Sequence, residues 1–142
     1  MVLVDVNLLI NAIHTGSPDH AAAKAWLDEL LCGGEPVGLP WAVIVGFVRI
    51  TTNPRITTHP FTLEESLAQV RDWLALPAVK ILHPTAGHER QFAEQCRAAR
   101  ATGNLVTDAH LAALAIEHDC ELASNDVDFA RFPGLRWINP LA

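Results

Sequence analysis

Two kinds of hydrophobic spacing alternate along this chain. Short apolar blocks, "VLV" after Met1 and then "PVGLP", "AVKIL", "CELAS" and "LRWI", are bounded by proline, glycine or polar residues and read as short strands. Between them the apolar positions spread out to helical spacing. "NLLINAIH" reads as a helix started by Asn7 near its N-cap, and "SPDHAAAKAWLDELLCGG" as one capped by Ser17. In the second, Pro18 takes the first helical position, Trp26, Leu27, Leu30 and Leu31 turn inward, and Gly33 and Gly34 stop it. "PWAVIVGFVRITTN" is apolar all round, which predicts a helix in the core or at an interface. Thr62 and Glu65 stand at capping-box spacing before the amphipathic "FTLEESLAQVRDWLAL". The charged "GHERQFAEQCRAARATG" is expected to end at Gly103, and "TDAHLAALAIEHD" to be capped by Thr107. Strands alternating with helices predict an α/β fold with a mainly parallel sheet.

Composition narrows this without changing it. A length of 142 residues suits one domain, 1–142, with a real core. No apolar run approaches the ~20 residues of a membrane helix. The N-terminus has no basic segment and carries an aspartate inside its apolar stretch, so no signal peptide is expected and the cytoplasm is the expected location. Cys32, Cys96 and Cys120 lack metal-ligand spacing and are expected to be small core residues. The seven histidines form no i, i+4 pair; His110 and His118 are expected on helix surfaces, and no zinc site is readable. A net charge of −6 argues against a general polyanion binder. It leaves room for a local basic surface, because Arg49, Arg55, Arg90, Arg97, Arg100, Arg131 and Arg136 outnumber the two lysines.

The chemistry lies in the acids. In open parallel sheets ligands bind beyond the C-terminal strand ends, near a topological switch point. Asp5 ends the first strand, and Asp126 and Asp128 follow "ELAS", so three acids map to one edge. Asp108 opens a helix, where the N-terminal partial charge tolerates a carboxylate. Each acid also has a structural reading: Asp108 as a first-turn acid, Asp126 as a solvated loop acid, Asp128 as a cap for "FARF". Asp5 is hardest to explain that way, since an unpaired charge buried between "VLV" and "VNLLI" is costly. Convergent carboxylates need a cation, because close like charges raise one another's pKa. Oxygen-only ligands favour Mg²⁺ or Mn²⁺ over zinc, and such sites serve phosphodiester hydrolysis.

With these residues in place, the chain resembles PIN-domain ribonucleases, specifically the VapC-type toxins of bacterial toxin–antitoxin modules. The resemblance runs through "VLVDVNLLI", "GLPWAVIVGFVRITTNPR", "TGNLVTDAHLAALAIEH" and "ELASNDVDFARFPGLRWINPL", in that order. It implies a PIN-like domain with a parallel central sheet flanked by helices, an acidic Mg²⁺ or Mn²⁺ site, and endonucleolytic cleavage of RNA. It also implies a VapB-type antitoxin partner and a homodimer. By motif, Asp5 matches the first-strand metal ligand and Asp108 the acid of the "TDAHLAALA" helix. Asp126 matches the acid of the "ND" turn, and Asp128 the additional acid before Phe129. Asp5 and Asp108 are expected to hold the metal most directly, with the other two completing the cluster. The expected reaction is attack on phosphorus by a water that the metal activates, with no covalent enzyme intermediate.

The chain departs from the family pattern at one place. Many members carry a glutamate in the middle helix, and Gly46 stands at or next to that position, which leaves one metal or two as open alternatives. Glu64 and Glu65 are explained as a capping pair. Asn7 is either a helix cap or a residue orienting Asp5, and Thr107 stands in the same relation to Asp108. Arg49 has three readings: pairing with an acid, contacting RNA, or meeting the antitoxin. "WAVIVGFV", with Trp41 and Phe47, is either core or partly a dimer surface. Two other function classes compete. One is a non-catalytic PIN-like domain that binds antitoxin or RNA; the other is a phosphotransfer or phosphatase domain, which wants a lysine beside the acids that neither Lys24 nor Lys80 supplies.

Overall fold

β1 (Val2–Val4) has every side chain buried, as does β2 (Val37–Leu39), because these strands lie inside a sheet covered by helices. The computed structural model describes Met1–Ala142. Five strands form one sheet in the order β3-β2-β1-β4-β5, with β3 at Val79–Ile81, β4 at Glu121–Ala123 and β5 at Trp137–Ile138. Every pairing is parallel, with Leu3 opposite Gly38 on one side and Leu122 on the other. The chain therefore steps outward through β2 and β3, then returns to the far side of β1. The direction reverses between β1 and β4.

The helices are α1 (Val6–Ile13), α2 (His20–Cys32), α3 (Trp41–Thr51), α4 (Leu63–Leu74), α5 (His88–Ala99) and α6 (Asn104–Glu117). Right-handed crossovers put α1 to α4 on one face of the sheet and α5 and α6 on the other. In keeping with this, α1 packs on α2 and α3, α3 on α4, and α5 on α6. One apolar core joins the layers through Leu3, Leu8, Phe47, Leu114, Leu122 and Phe129. Phe47 meets Trp73 edge-on at 4.8 Å. Gly38 is required by close approach: a Cβ there would lie 2.5 Å from Leu82 Cδ1. No helix is long and apolar enough to cross a membrane.

The capping box of Thr62 and Glu65 forms as expected. Three other helix starts differ from expectation. Asp5, not Asn7, caps α1, its carboxylate accepting from Val6 N–H. α2 begins at His20, because the Ser17 hydroxyl donates to Asn11 and accepts from Asp19 N–H, which makes a turn rather than a cap. α5 ends at Arg100 in a left-handed conformation (φ 52°), short of Gly103, which instead precedes α6 with φ 58°. Thr107 therefore lies inside α6, exposed, and caps nothing.

One expectation about burial is corrected, and for α3 the exposed positions leave the dimer-surface alternative open. Of the cysteines only Cys120 is buried; Cys96 is half-buried and Cys32 exposed. α3 buries Val43, Ile44, Phe47 and Thr51 but exposes Trp41, Val45 and Arg49, so its apolar composition includes a solvent-facing stripe.

Candidate metal centre

β1 and β4 run side by side at the switch point, and the residues that leave them are Asp5 and Ser124. Asp5 N–H still bonds Ala123 at 3.0 Å, so the carboxylate is fixed by an extension of the ladder. Asp5 is buried, at 6% exposure. One carboxylate oxygen accepts from Val6 N–H at 2.7 Å, and the other from the Ser124 hydroxyl at 2.7 Å. Ser124 Oγ in turn accepts from Asn7 Nδ2 at 3.1 Å and from Asp126 N–H at 3.0 Å. One hydroxyl thus uses its proton and both lone pairs to join the two strand ends. Burial pushes the Asp5 carboxyl above its ordinary value, against the pull of Ser124 and Val6 N–H, and Asp126 pushes it further.

After Ser124 the chain enters a short 3-10 helix, Val127–Arg131, capped by Asp126, whose Oδ1 accepts from Asp128 N–H at 2.9 Å. The expected cap thus falls to Asp126 rather than Asp128. Asp128 is exposed and faces Arg131 at 3.7 Å. Asp108 sits a full turn inside α6, not in the first turn, which begins at Asn104. Its carboxyl is pushed up to about 7, first by burial and then by the charges of Asp5, Asp126 and Asp128.

Asp108, Asp126 and Asp128 each offer an oxygen within 4.8 Å of the others. Asp5 stands beside this group, coupled to it by charge, with both its oxygens already engaged. The residues fit a hard divalent cation on two counts. The donors are carboxylate oxygens alone, which Mg²⁺ and Mn²⁺ prefer. Asp108, pushed up to about 7 first by burial and then by Asp5, Asp126 and Asp128, is also a carboxyl whose ionised form a cation beside it would stabilise.

No acid arrives from α3. Gly46 lies against Val6, the neighbour of Asp5, where a Cβ would meet Val6 Cγ2 at an ordinary 3.6 Å. Glu65 is spent on Thr62 N–H at 3.0 Å. Asn7 reaches the site through Ser124. Arg49 is exposed on α3 and forms no ion pair.

The histidines hold one surprise for the sequence reading. His110 is half-buried between α5 and α6, bonded through Nδ1 to His88 Nε2 at 2.9 Å. His88 Nδ1 meets Glu117, which also accepts from the N–H and hydroxyl of Thr85. These groups hand on in series rather than converging on a point, so they tie α5 to α6 without forming a zinc grip. His118 bonds the His83 carbonyl at the surface.

A surface hollow of about 370 Å³ lies at the end of α2 among Trp26, Leu30 and Gly33 and includes none of the four acids. Ser124 is the site residue that sequence reasoning passed over; its only signal is a small hydroxyl residue between the apolar end of β4 and "ND".

The PIN domain family profile matches residues 2–135. Ribonuclease VapC37 of Mycobacterium tuberculosis is 41% identical over 142 residues, covering 100% of this chain and 99% of its own. Among solved structures, VapBC-1 from nontypeable Haemophilus influenzae matches with a TM-score of 0.72 at 15% identity, covering 100% of both chains. A toxin–antitoxin complex from Klebsiella pneumoniae matches with a TM-score of 0.66 at 18% identity, covering 99% of this chain and 98% of that one. At such identities these two structures bear on the fold alone. Match of the family profile across nearly the whole chain, together with a relative similar from end to end, establishes that this protein belongs to the PIN domain family.

Proposed function

We propose that this protein is a metal-dependent endoribonuclease and the toxin of a VapBC-type toxin–antitoxin pair. The observation that carries the reading is the meeting of Asp108, Asp126 and Asp128 within 4.8 Å, next to a buried Asp5 at the reversal point of the sheet. Full-length similarity to a protein named as a ribonuclease supplies the substrate class. Asp5, Asp108, Asp126 and Asp128 would hold Mg²⁺, or Mn²⁺ in its place, the last three meeting within 4.8 Å of one another. When bound, such an ion supplies Lewis-acid polarisation of a phosphoryl oxygen and lowers the pKa of an attacking water.

The chain's own residues have narrower tasks. Ser124 locks Asp5 and Asp126 to each other and to Asn7, so the acids keep their spacing when no substrate is present. Its hydroxyl is fully buried, which keeps it away from an RNA phosphate. Phosphodiester cleavage then proceeds by direct attack of water, with no covalent enzyme intermediate.

The partner reading rests on exposed apolar surface. Trp41 and Val45 on α3 are 50% and 59% exposed, and Leu63 and Leu67 on the adjoining α4 are also uncovered. Surface of this kind marks protein contact. It fits a small VapB-type antitoxin and association into a homodimer, in line with the toxin–antitoxin complex that shares the fold.

Mapping new RNA 5′ ends after controlled expression tests the reading against a non-catalytic binder. The wild type is expected to create discrete new ends and Asp5→Ala none. Growth arrest without new ends would favour the binder, which the absence of a glutamate at Gly46 otherwise recommends.

A further inference from the structure

We propose that Arg131 is the phosphate-gripping residue of this site, held ready by Asp128 until RNA and a cation arrive. The proposal rests on the ribonuclease reading for the identity of the substrate, but its geometry stands apart. In a 3-10 helix residues i and i+3 eclipse one another. Arg131 is therefore held on the face of the helix that carries Asp128, with Nε 3.7 Å from Asp128 Oδ1. No other ion pair in the protein reaches Asp5, Asp108, Asp126 or Asp128. Asp108, Asp126 and Asp128, gathered at one edge of the sheet, repel a polyanion, so a cation beside them is what a phosphate backbone needs.

The pair is also built to come apart. Both side chains are more than half exposed, at 58% and 52%, and such surface pairs add little stability. Arg131 makes a single contact through Nε, which leaves the two terminal nitrogens of its planar fork open to phosphate oxygens. The backbone beneath it is fixed, because Phe129 and Phe132 on either side are buried at 1% and 3% exposure. An exposed cation on an anchored base, next to the carboxylates, is thus in reach of whatever phosphate they act on. As Asp128 turns to a cation, Arg131 is released towards that phosphate.

The experiment measures anisotropy of a fluorescein-labelled single-stranded RNA in Ca²⁺ across a salt series, with Mg²⁺-dependent cleavage followed in parallel. The proteins are wild type, Arg131→Ala and Arg131→Lys. Arg131→Ala is expected to bind about tenfold more weakly, with a larger change in KM than in kcat. The slope of log affinity against log salt should fall by about 0.7, one single-strand phosphate contact. Arg131→Lys should keep the slope while losing part of the affinity, because it keeps the charge and loses the fork. A folded Arg131→Ala protein with unchanged affinity and salt slope would overturn the proposal and leave Arg131 a counter-ion only. If the slope falls although the wild type cuts no RNA, the phosphate grip stands and the ribonuclease reading fails. If the wild type cuts and the slope does not move, the outcome is the reverse.

Discussion

On the proposed metal reading, proton and metal compete at Asp108. Its carboxyl holds a proton up to about pH 7 in the folded, metal-free protein, against 3.8 for the ordinary group. The folded state therefore binds more protons than the unfolded state between these values. The stabilising contribution is complete below pH 3.8 and is lost as pH rises to about 7. Thermal unfolding in EDTA should accordingly show stability declining over that window more steeply in the wild type than in Asp108→Asn. Saturating Mg²⁺ should flatten the wild-type curve. Parallel curves for the two metal-free proteins would contradict the picture of crowded, uncompensated carboxylates. At this scale Asp5 was legible in the sequence, since a charge between two apolar runs demands a reason. Ser124 was not, because a serine at a strand end is an ordinary turn residue until its three partners are seen in space. The "NDVD" pair was legible as chemistry but not in its division of labour: the cap is Asp126, and the acid facing an arginine is Asp128.

The elements were legible wherever hydrophobic spacing alone decides them. All five strands and the capping box fall where expected. The helix starts shifted because capping is a contest among nearby polar groups that spacing does not settle. Ser17 spends its hydroxyl on Asn11, Gly103 serves the helix after it, and Asp5 reaches Val6 N–H before Asn7 can act as cap. Gly46 permits a direct test at this scale. It lies inside α3 without a positive φ, and a Cβ there would make only ordinary contact with Val6. Gly46→Ala should raise stability by about 0.5–1 kcal/mol in urea unfolding, the usual gain from replacing a helical glycine. A loss of stability would mean that α1 and α3 need the gap, and that the missing side chain is a packing requirement rather than a vacated ligand position.

For the whole molecule, net charge and topology answer different questions. A net charge of −6 argues against a general nucleic-acid binder, and four of the sixteen acids, Asp5, Asp108, Asp126 and Asp128, stand at one edge of the sheet. That edge follows from strand order: the chain leaves β1 in one direction and comes back on its other side, which brings Asp5 to Ser124 across 119 residues of sequence. Spacing could place Asp5, Asp126 and Asp128 at strand ends, but the inward turn of Asp108 depends on where α6 begins. The His88–Glu117 tie between α5 and α6 was equally invisible, since its members are 29 residues apart. The central claim is that this acidic edge cuts RNA with a divalent ion. The most direct measurement is cleavage of a defined single-stranded RNA by the purified protein, with Mg²⁺ or with EDTA, alongside Asp108→Asn. Cleavage in Mg²⁺ that EDTA abolishes and Asp108→Asn lowers by at least a hundredfold, about 2.7 kcal/mol in transition-state stabilisation, is the expected result. Cleavage at the wild-type rate in EDTA, or by Asp108→Asn, would contradict it.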